Sequence, residues 1–371
     1  MISTETGVFA RSHLKEWRAG MVDYLAQQKE GEVVIDGLGR RLLLFCLVVA
    51  FFGFLLGGCK QQEEPTVKPV VLESVVLCGS VTTFLPLAVA EKQGFFPEQM
   101  LAVTVREFSV GKEALEAMFK GECDFATSAE PPVVEVALQR DDFRILGSLQ
   151  TSDNQNRIVA RTDRGIAVPD DLRGKRIATV KGTSAHYFLE LFFEKYGLTS
   201  KDVAISFMKA DDLLEAFTSG QVDAVAMTIK VIIQAQEALQ DKAVLLESPG
   251  LYRNYYLIMV TTDLLEKRPQ VAVRLLRALA RAEDFIRQRP EEASAIAQAS
   301  RKGSPAEIKQ RIVVNQYQLT LDQAMLMGLE DATRWTLQQT GDGRLTVPNF
   351  LNLIAAEPLR TVNPDGVRLE K

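Results

Sequence analysis

Small polar residues recur where strand-like segments give way to helix-like segments, and these residues could bind a small molecule. The stretch Val180 to His186 follows an apolar run (Arg176 to Val180) and precedes a helix-like run (Tyr187 to Tyr196). Gly182 allows a tight turn, and Thr183 or Ser184 is a natural helix N-cap. Because a helix start leaves amide N–H groups unpaired and carries a partial positive charge, several such starts around one cleft would bind an anion or a polar head group.

The candidate ligand contacts lie at turns of this kind along the chain. They are Ser80, Thr82, Thr83, Ser109, Ser128, Glu130, Thr151, Gly182, Thr183, Ser184, Ala185, His186, Thr228 and Tyr252. Each of the hydroxyl residues could equally be a helix cap, and it is their recurrence at equivalent turns that predicts a shared site.

Three of these candidates have a second interpretation that the sequence leaves open. A carboxylate at Glu130 would repel a fully anionic ligand and so indicates a ligand with an amine or hydroxyl donor, or it stabilises the start of its own helix. His186 either contacts the ligand or is a helix-face residue satisfied by solvent or backbone. Tyr252 either stacks on the ligand or packs at a hinge.

The elements around these turns occur twice in the chain. The strand-like run ending at Gly79-Ser80 corresponds to the run ending before Gly182, and each is followed by a helix, a strand and a second helix. Both copies then reach a Gly-x-x-Asp step, at Gly121 to Asp124 and at Gly220 to Asp223. The duplication predicts an α/β protein of two lobes, each a mainly parallel sheet flanked by helices, with ligand contacts at the strand carboxyl ends.

The turn-rich segments predict where the chain crosses between the lobes. We expect lobe I to comprise 70–163 and 252–371 and lobe II to comprise 164–251, with two crossing strands as the hinge. Tyr255 to Val260 is the expected return crossing, and from Thr262 onward the pattern predicts helices.

Composition excludes several classes of function. A formal net charge of −5 and the lack of a basic cluster with interleaved aromatics argue against a nucleic-acid partner. Neither a Cys/His ligand spacing, a Gly-Lys-Ser/Thr loop nor a Gly-x-Ser-x-Gly elbow is present, so we expect no metal, no cofactor and no hydrolytic site. Cys78 and Cys123 are predicted to be buried free thiols, because a strand end and a strand start lie at opposite edges of a parallel sheet.

The N-terminal segment predicts export. Arg40-Arg41 precede an apolar run from Leu42 to Gly58, and Leu56-Gly57-Gly58-Cys59 resembles the bacterial lipobox. That resemblance implies a signal peptide within 1–58, acylation (palmitate) at Cys59 and a tether at 59–69. An uncleaved membrane anchor is the alternative, and both place the rest of the chain outside the cytoplasm, in the cell envelope.

Four motifs resemble a known family: Lys181 to His186, Gly94 to Pro97, Gly121 to Asp124 and Leu172 to Ile177. They are similar to the substrate-binding proteins of nitrate/sulfonate/taurine-type ABC transporters, which include pyrimidine-precursor binders. The resemblance implies a type II periplasmic-binding-protein fold and a monomer that closes on a small polar molecule and delivers it to an ABC permease and its ATPase. It also implies that backbone amides of the turn Gly182 to His186 contact the ligand head group, with Ser80 and Ser128 facing them.

Three other functions are compatible with parts of the sequence. A sensory binding protein would pass its closed form to a receptor. A thiamine-pyrimidine synthase-like enzyme would need a cysteine-rich motif and iron, and the sequence has no cysteine cluster. A structural lipoprotein would bind no ligand.

Overall fold

Two separate β-sheets organise the part of the chain that the computed structural model describes, residues 71–80, 83–300, 304–341 and 344–370. These residues belong to the unit Val70–Lys371. The predicted signal peptide, Cys59, the tether at 59–69 and Thr82 lie outside the described residues. Among the helices that are described, none has the length and apolar character that a membrane crossing requires.

The strands follow the chain in the order in which we number them. They are β1 Glu73–Ser80, β2 Leu101–Phe108, β3 Phe125–Ala129, β4 Phe143–Ser152, β5 Asn156–Arg161, β6 Arg176–Thr179, β7 Ala204–Phe207, β8 Ala224–Thr228, β9 Ala243–Leu246, β10 Asn254–Thr261, β11 Gln316–Asp322 and β12 Val367–Arg368.

The α-helices are numbered in the same way. They are α1 Phe84–Lys92, α2 Phe95–Glu98, α3 Gly111–Phe119, α4 Glu130–Ala137, α5 Ser184–Lys195, α6 Leu213–Thr218, α7 Ile229–Leu239, α8 Thr262–Lys267, α9 Pro269–Gln288, α10 Pro290–Ala299, α11 Pro305–Val314, α12 Gln323–Thr340 and α13 Ala356–Val362.

The first lobe contains a seven-stranded sheet and the second a five-stranded sheet, which confirms the predicted two-lobed α/β class. Their strand orders are β12-β11-β4-β10-β3-β1-β2 and β7-β6-β8-β5-β9. The expectation of mainly parallel sheets is wrong, because each sheet has as many antiparallel as parallel pairings. The strands that cross between the lobes run antiparallel to the β-α-β units on which they pack.

The chain crosses from the first sheet to the second between Ser152 and Asn156. Strand β5, which the sequence analysis assigned to lobe I, pairs with β8 and β9 in the second sheet. The return crossing ends at Asn254, where β10 enters the middle of the first sheet between β4 and β3. The two crossing segments are joined by a hydrogen bond from Asn156 Nδ2 to Asn254 Oδ1 of 3.0 Å.

The duplicated unit predicted from sequence is confirmed by the strand orders β2-β1-β3 and β7-β6-β8. The Gly-x-x-Asp step has the same geometry in both copies. Gly121 and Gly220 adopt φ values of 76° and 79°, which favour glycine. Each aspartate then accepts a hydrogen bond from the amide of the central strand, Asp124 from Val76 (2.7 Å) and Asp223 from Arg176 (2.9 Å).

Two strands near the C-terminus were missed. Strand β11 pairs antiparallel with β4, and β12 pairs with β11, so the region after Thr262 is not wholly helical. The signal was the alternation of Tyr317, Leu319 and Leu321, which are buried and have the period of two that is typical of a strand.

The prediction of two free thiols is wrong, because Cys78 and Cys123 form a disulfide. Strand β1 continues past Cys78 to Ser80, and the Asp124 amide donates to the Val76 carbonyl (2.8 Å). The segment entering β3 therefore runs beside the middle of β1 rather than beyond its far edge. The Cα atoms of the two cysteines are 5.8 Å apart, within the ordinary range for a disulfide.

Candidate functional site

A narrow cleft lies between the two lobes at the carboxyl ends of their central strands. Its cavity volume is about 30 Å³. The first lobe contributes Ser80, Ser109, Val110, Gly111, Ser128, Ala129, Pro132 and Tyr256, and the second lobe contributes Thr183, Ser184, Ala185, Met227 and Thr228. Residues of the two lobes therefore meet at one place.

Four helices begin at this cleft. Helices α3, α4, α5 and α7 follow the cleft residues Val110, Ala129, Thr183 and Thr228, each with an extended backbone. In none of the four does the N-cap side chain accept a hydrogen bond from the first helical turn. Of the described helices that begin elsewhere, α8, α11 and α12 are capped in this way and α1, α2, α6, α9, α10 and α13 are not, so it is the meeting of four helix starts that marks the cleft. Helix α4 offers few amides, because Pro131 and Pro132 follow Glu130 and have no N–H, and the first amide of α7, that of Ile229, donates to the Gln155 carbonyl (3.0 Å). The starts of α3 and α5 and the next amides of α7 are left for a ligand, and their partial positive charge favours an anion.

The lining is neutral and rich in hydroxyl groups. None of the described residues that line the cleft carries a formal charge. Ser128 Oγ is buried without a hydrogen-bond partner, which is uncommon for a buried hydroxyl. Gly111 packs directly on it, since a Cβ at Gly111 would lie 2.5 Å from Ser128 Oγ. The arrangement brings hydrogen-bond donors together without a counter-charge.

Half of the predicted contacts lie in the cleft lining. They are Ser80, Ser109, Ser128, Thr183, Ser184, Ala185 and Thr228. The other cleft residues were not among the predicted contacts. One is Tyr256, and the rest have apolar side chains or contribute mainly backbone: Val110, Gly111, Ala129, Pro132 and Met227. The signal that could have found most of them is their position, because each lies within a few residues of a cleft helix start.

Thr83 and Thr151 lie away from the cleft lining. Thr83 is buried; its hydroxyl donates to the Ser80 carbonyl (3.1 Å) and shares a hydrogen bond with Thr127 Oγ1 (2.7 Å). Thr151 lies within β4, between neighbouring strands β10 and β11. Both residues therefore contribute to the internal structure of the first lobe.

Glu130 lies beneath the cleft and is fully buried, so the structure does not place its carboxylate against a ligand. The carboxylate accepts hydrogen bonds from Tyr252 Oη (2.9 Å), Asn254 Nδ2 (2.8 Å) and the Tyr255 amide (2.8 Å). Tyr252 is consequently a partner of Glu130 at the return crossing and not part of the cleft lining. Burial raises the pKa of Glu130 to about 7, although these three donors and the amide of Glu130 itself lower it.

A chain of hydrogen bonds links Glu130 to the cleft. Asn254 bridges Glu130 and Asn156, and Ser184 Oγ donates to Asn156 Oδ1 (3.3 Å). The chain thus joins the start of α4, both crossing segments and the start of α5. A second bond crosses between the lobes at the rim, from Ser109 Oγ to Asp211 Oδ1 (2.7 Å).

Gly182 and His186 line a larger neighbouring cavity rather than the cleft. Gly182 has a φ of 74°, as its predicted tight turn requires. Its amide donates to His186 Nδ1 (3.3 Å), so this amide is already engaged and Nδ1 is the unprotonated nitrogen. Burial, helped by the charge of Lys181, lowers the pKa of His186 to about 4, which keeps the imidazole neutral at pH 7.

Within the described ranges, no group of three His, Cys, Asp or Glu residues could hold a metal ion. What the cleft can do chemically is bind, through amides at helix starts and hydroxyl groups.

Comparison with known proteins identifies the family. The model of the family described as NMT1/THI5 like matches residues 81–293. The chain belongs to the NMT1/THI5-like family. The match covers the first repeat unit after β1, the whole second repeat unit and all the residues of the cleft except Ser80.

Relatives of this NMT1/THI5-like protein include binding proteins. A protein of Bacillus subtilis (strain 168) named as an aliphatic sulfonates-binding protein is 27% identical over 248 residues, which is 65% of this chain and 73% of the relative. The crystal structure of the periplasmic aliphatic sulphonate binding protein SsuA from Escherichia coli has a TM-score of 0.66 and 17% identity, and covers 81% of this chain and 94% of that chain.

The same fold also occurs in an enzyme. The crystal structure of the desulfurization enzyme DSZB has a TM-score of 0.58 and 17% identity, and covers 79% of this chain and 99% of that chain. These likenesses confirm the predicted periplasmic-binding-protein fold. Because this fold occurs both in a binding protein and in an enzyme, the function of this chain has to be argued from its cleft.

Proposed function

We propose that this NMT1/THI5-like protein is the solute-binding component of an ABC importer and that it captures a small organic sulfonate between its lobes. The observation that carries the proposal is the convergence of the starts of α3, α5 and α7, none of them capped by a side chain, on a cleft whose described lining has no charged side chain. A sulfonate is a monoanion whose three oxygens all accept hydrogen bonds. Amides and hydroxyls can satisfy these oxygens without a counter-ion.

The neutral lining argues against other small anions. Hydrogen phosphate is a dianion whose second charge would need a cation, and an amino acid carries an ammonium group that needs a carboxylate. The described cleft lining has neither a cation nor a carboxylate, and Glu130 is buried and already accepts from Tyr252, Asn254 and the Tyr255 amide. The names of the sulfonate-binding relatives support the same class of ligand.

Binding without catalysis fits the chemistry of the described residues. Cys78 and Cys123 are bonded to each other, and His186 is neutral and holds the Gly182 amide. Neither a thiol nor an imidazole therefore lines the cleft. We propose that the monomer closes by rotation about the segments near Asn156 and Asn254 and then docks on its permease.

The proposed location is the cell envelope, where acylated Cys59 anchors the protein to a membrane with the rest of the chain facing the periplasm or the cell exterior. Metabolic labelling with an alkyne analogue of palmitate should mark the protein and should fail on Cys59→Ser. Labelling of that variant would contradict the anchor.

The ligand proposal is tested by calorimetry with alkanesulfonates, alkyl carboxylates and phosphate. We expect a sulfonate Kd in the micromolar range, about −8 kcal/mol, and a rise in melting temperature. Ser184→Pro removes the first amide of α5 at a position where proline is tolerated in a helix, and should weaken binding about tenfold or more.

The matched control is Gln323→Pro, at the same position of α12, far from the cleft. It should leave the sulfonate Kd unchanged. Equal affinity for sulfonates and carboxylates, or equal effects of the two proline variants, would contradict the proposal.

A further inference from the structure

The cleft is too small to hold more than a ligand's head group. Its volume of about 30 Å³ corresponds to the space of a few water molecules. A larger cavity of about 520 Å³ lies beside it, and its lining includes Lys112, Glu135, Lys181, His186, Trp335 and Gln339. Successive residues line the two spaces in turn, such as Pro131 and Pro132, or Gly182 and Thr183. The organic part of a ligand can therefore extend from the cleft into this cavity.

A second neighbouring space is less suited to that role. It has a volume of about 170 Å³ and shares Ser109, Met227 and Thr228 with the cleft. The hydrogen bond between Ser109 and Asp211, both of which line this space, crosses between the lobes there. Its lining carries one carboxylate, Asp211, and one ammonium group, Lys230, so its side chains have no net charge, and no aromatic ring lines it.

Aromatic rings form one wall of the larger cavity. The rings of His186 and Trp335 are 5.0 Å apart between centroids and inclined at 74°. Trp335 is 9% exposed, and its Nε1 has no hydrogen-bond partner, so packing alone holds the ring. His186 is neutral and its other ring neighbour is Phe207 at 4.9 Å. Such a wall favours a flat apolar group over a charged one.

The charges at this cavity favour an acceptor over an ammonium group. Lys112 Nζ lies 2.9 and 2.7 Å from the two carboxylate oxygens of Glu135, so these two charges compensate each other. In the described part of the chain, the ammonium of Lys181 has no carboxylate partner and lies 5.6 Å from the centre of the Phe207 ring. The cavity thus has an excess positive charge on an exposed side chain, and Gln339 and Thr340 add hydrogen-bonding groups.

We propose that this cavity is the tail subsite of the cleft and selects aromatic sulfonates, with a neutral or acidic substituent, over sulfonates with an ammonium tail. The inference rests on the proposed sulfonate function and specifies its substrate class. The ring wall supplies most of the preference, and the exposed Lys181 supplies a smaller part because solvent screens its charge.

Calorimetry on the full chain with methanesulfonate, benzenesulfonate, 4-sulfobenzoate and taurine tests the subsite. Benzenesulfonate should bind at least about tenfold more tightly than methanesulfonate. 4-Sulfobenzoate should match or exceed benzenesulfonate, by up to about threefold, and lose that advantage in Lys181→Gln. Taurine should bind more weakly than methanesulfonate.

Gln339→Trp gives the sharpest variant, because the side chain is exposed and a bulky ring there would fill the cavity. It should lower the affinity for benzenesulfonate about tenfold and leave methanesulfonate unchanged. Gln338→Trp is the matched control, since the neighbouring Gln338 lines a different surface and should change neither affinity.

The outcomes separate the two proposals. If methanesulfonate binds as tightly as benzenesulfonate to the native chain, or if Gln339→Trp weakens both ligands equally, the sulfonate function stands and the subsite is wrong. If none of the four sulfonates binds, the proposed function itself fails and the subsite fails with it.

Discussion

The two copies of the β-α-β-α-β unit have the same strand order but are held together by different chemistry. In the first copy a disulfide joins Cys78 of β1 to Cys123, just before β3. The corresponding positions of the second copy are Ala178 and Val222, placed by the matching registers of β1 with β3 and of β6 with β8. There the Arg176 guanidinium binds both carboxylate oxygens of Asp223, through Nε (3.1 Å) and Nη2 (2.6 Å).

The copies also differ at the start of the helix that follows the third strand. Helix α4 begins with the buried carboxylate of Glu130, and α7 begins with the buried Ile229. What both copies keep is the aspartate that accepts from the central strand and the uncapped helix start at the cleft. The comparison shows that the two copies share their topology and the hydrogen bond from the central strand to the aspartate, while the other bonds that stabilise each copy differ.

The disulfide should give the largest difference between the copies. Cys78→Ala with Cys123→Val gives the first copy the residues of the second. The chain-entropy estimate for the 45-residue separation is a loss of about 4 kcal/mol in the free energy of unfolding. Urea unfolding measures it, and adding a reductant to the native protein should reproduce the loss. A double variant as stable as the native protein would mean that the copies do not differ here.

Glu130 should make the stability of the native protein depend on pH between about 4.5 and 7. Burial raises the pKa of Glu130 to about 7 from its ordinary value of 4.5, so the folded state binds more protons than the unfolded state in this range. Stability attributable to this group therefore falls as pH rises from 4.5 to 7, by at most about 3 kcal/mol.

Glu130→Gln removes this titration. The difference in unfolding free energy between variant and native protein, measured by urea at pH 4.5 and pH 8, should shift in favour of the variant as pH rises. Ile229→Val, at the matching start of α7, should show a difference that is independent of pH. A pH-independent difference for Glu130→Gln would contradict the buried, raised carboxyl group.

Replacing the aspartate that the two copies share should give the smallest losses of unfolding free energy, and the two losses should be unequal. Asp223→Asn should cost about 2 kcal/mol because it loses the charge-assisted bonds from Arg176, and Asp124→Asn about 1 kcal/mol because its nearest described cation, Arg268, is 3.7 Å away. Urea unfolding at pH 7 measures both.

The pH dependence of the Asp223 contribution has the opposite sense from that of Glu130. The hydrogen bonds from Arg176 lower the pKa of Asp223, so its contribution is present above the unfolded-state pKa of about 4 and is lost as pH falls through the lower folded-state value. Equal losses for Asp124→Asn and Asp223→Asn would show that the arginine contributes nothing in the second copy.

Local pattern predicted much of the fold. Glycines followed by helix-like runs located α1, α3, α5 and α6 to within a few residues, and the repeated order located both β-α-β-α-β units. The strand β11 was missed because its alternating residues lie between long helical patterns. The assignment of β5 to the first lobe was wrong, because the residues of a strand do not by themselves indicate which sheet the strand joins.

Pattern also found part of the candidate site. Ser80, Ser128 and Ser184 were predicted from their turns and do line the cleft. Glu130 and Tyr252 were predicted as ligand contacts on the same grounds, but they form a hydrogen bond with each other beneath the cleft. The Gly182 amide donates to His186 Nδ1. The turn type does not distinguish these cases, because the direction in which each side chain or amide points depends on neighbours far away in the chain.

The sequence by itself determined the duplicated α/β plan, the family resemblance and the positions of the helix starts, because these depend on spacing between neighbouring residues. Only the tertiary structure decided which helix starts share the cleft, that Cys78 meets Cys123 and that Glu130 is buried beside the return crossing. Those outcomes depend on strand register and on the packing of the two lobes, which join residues such as Glu130 and Asn254 that are far apart along the chain.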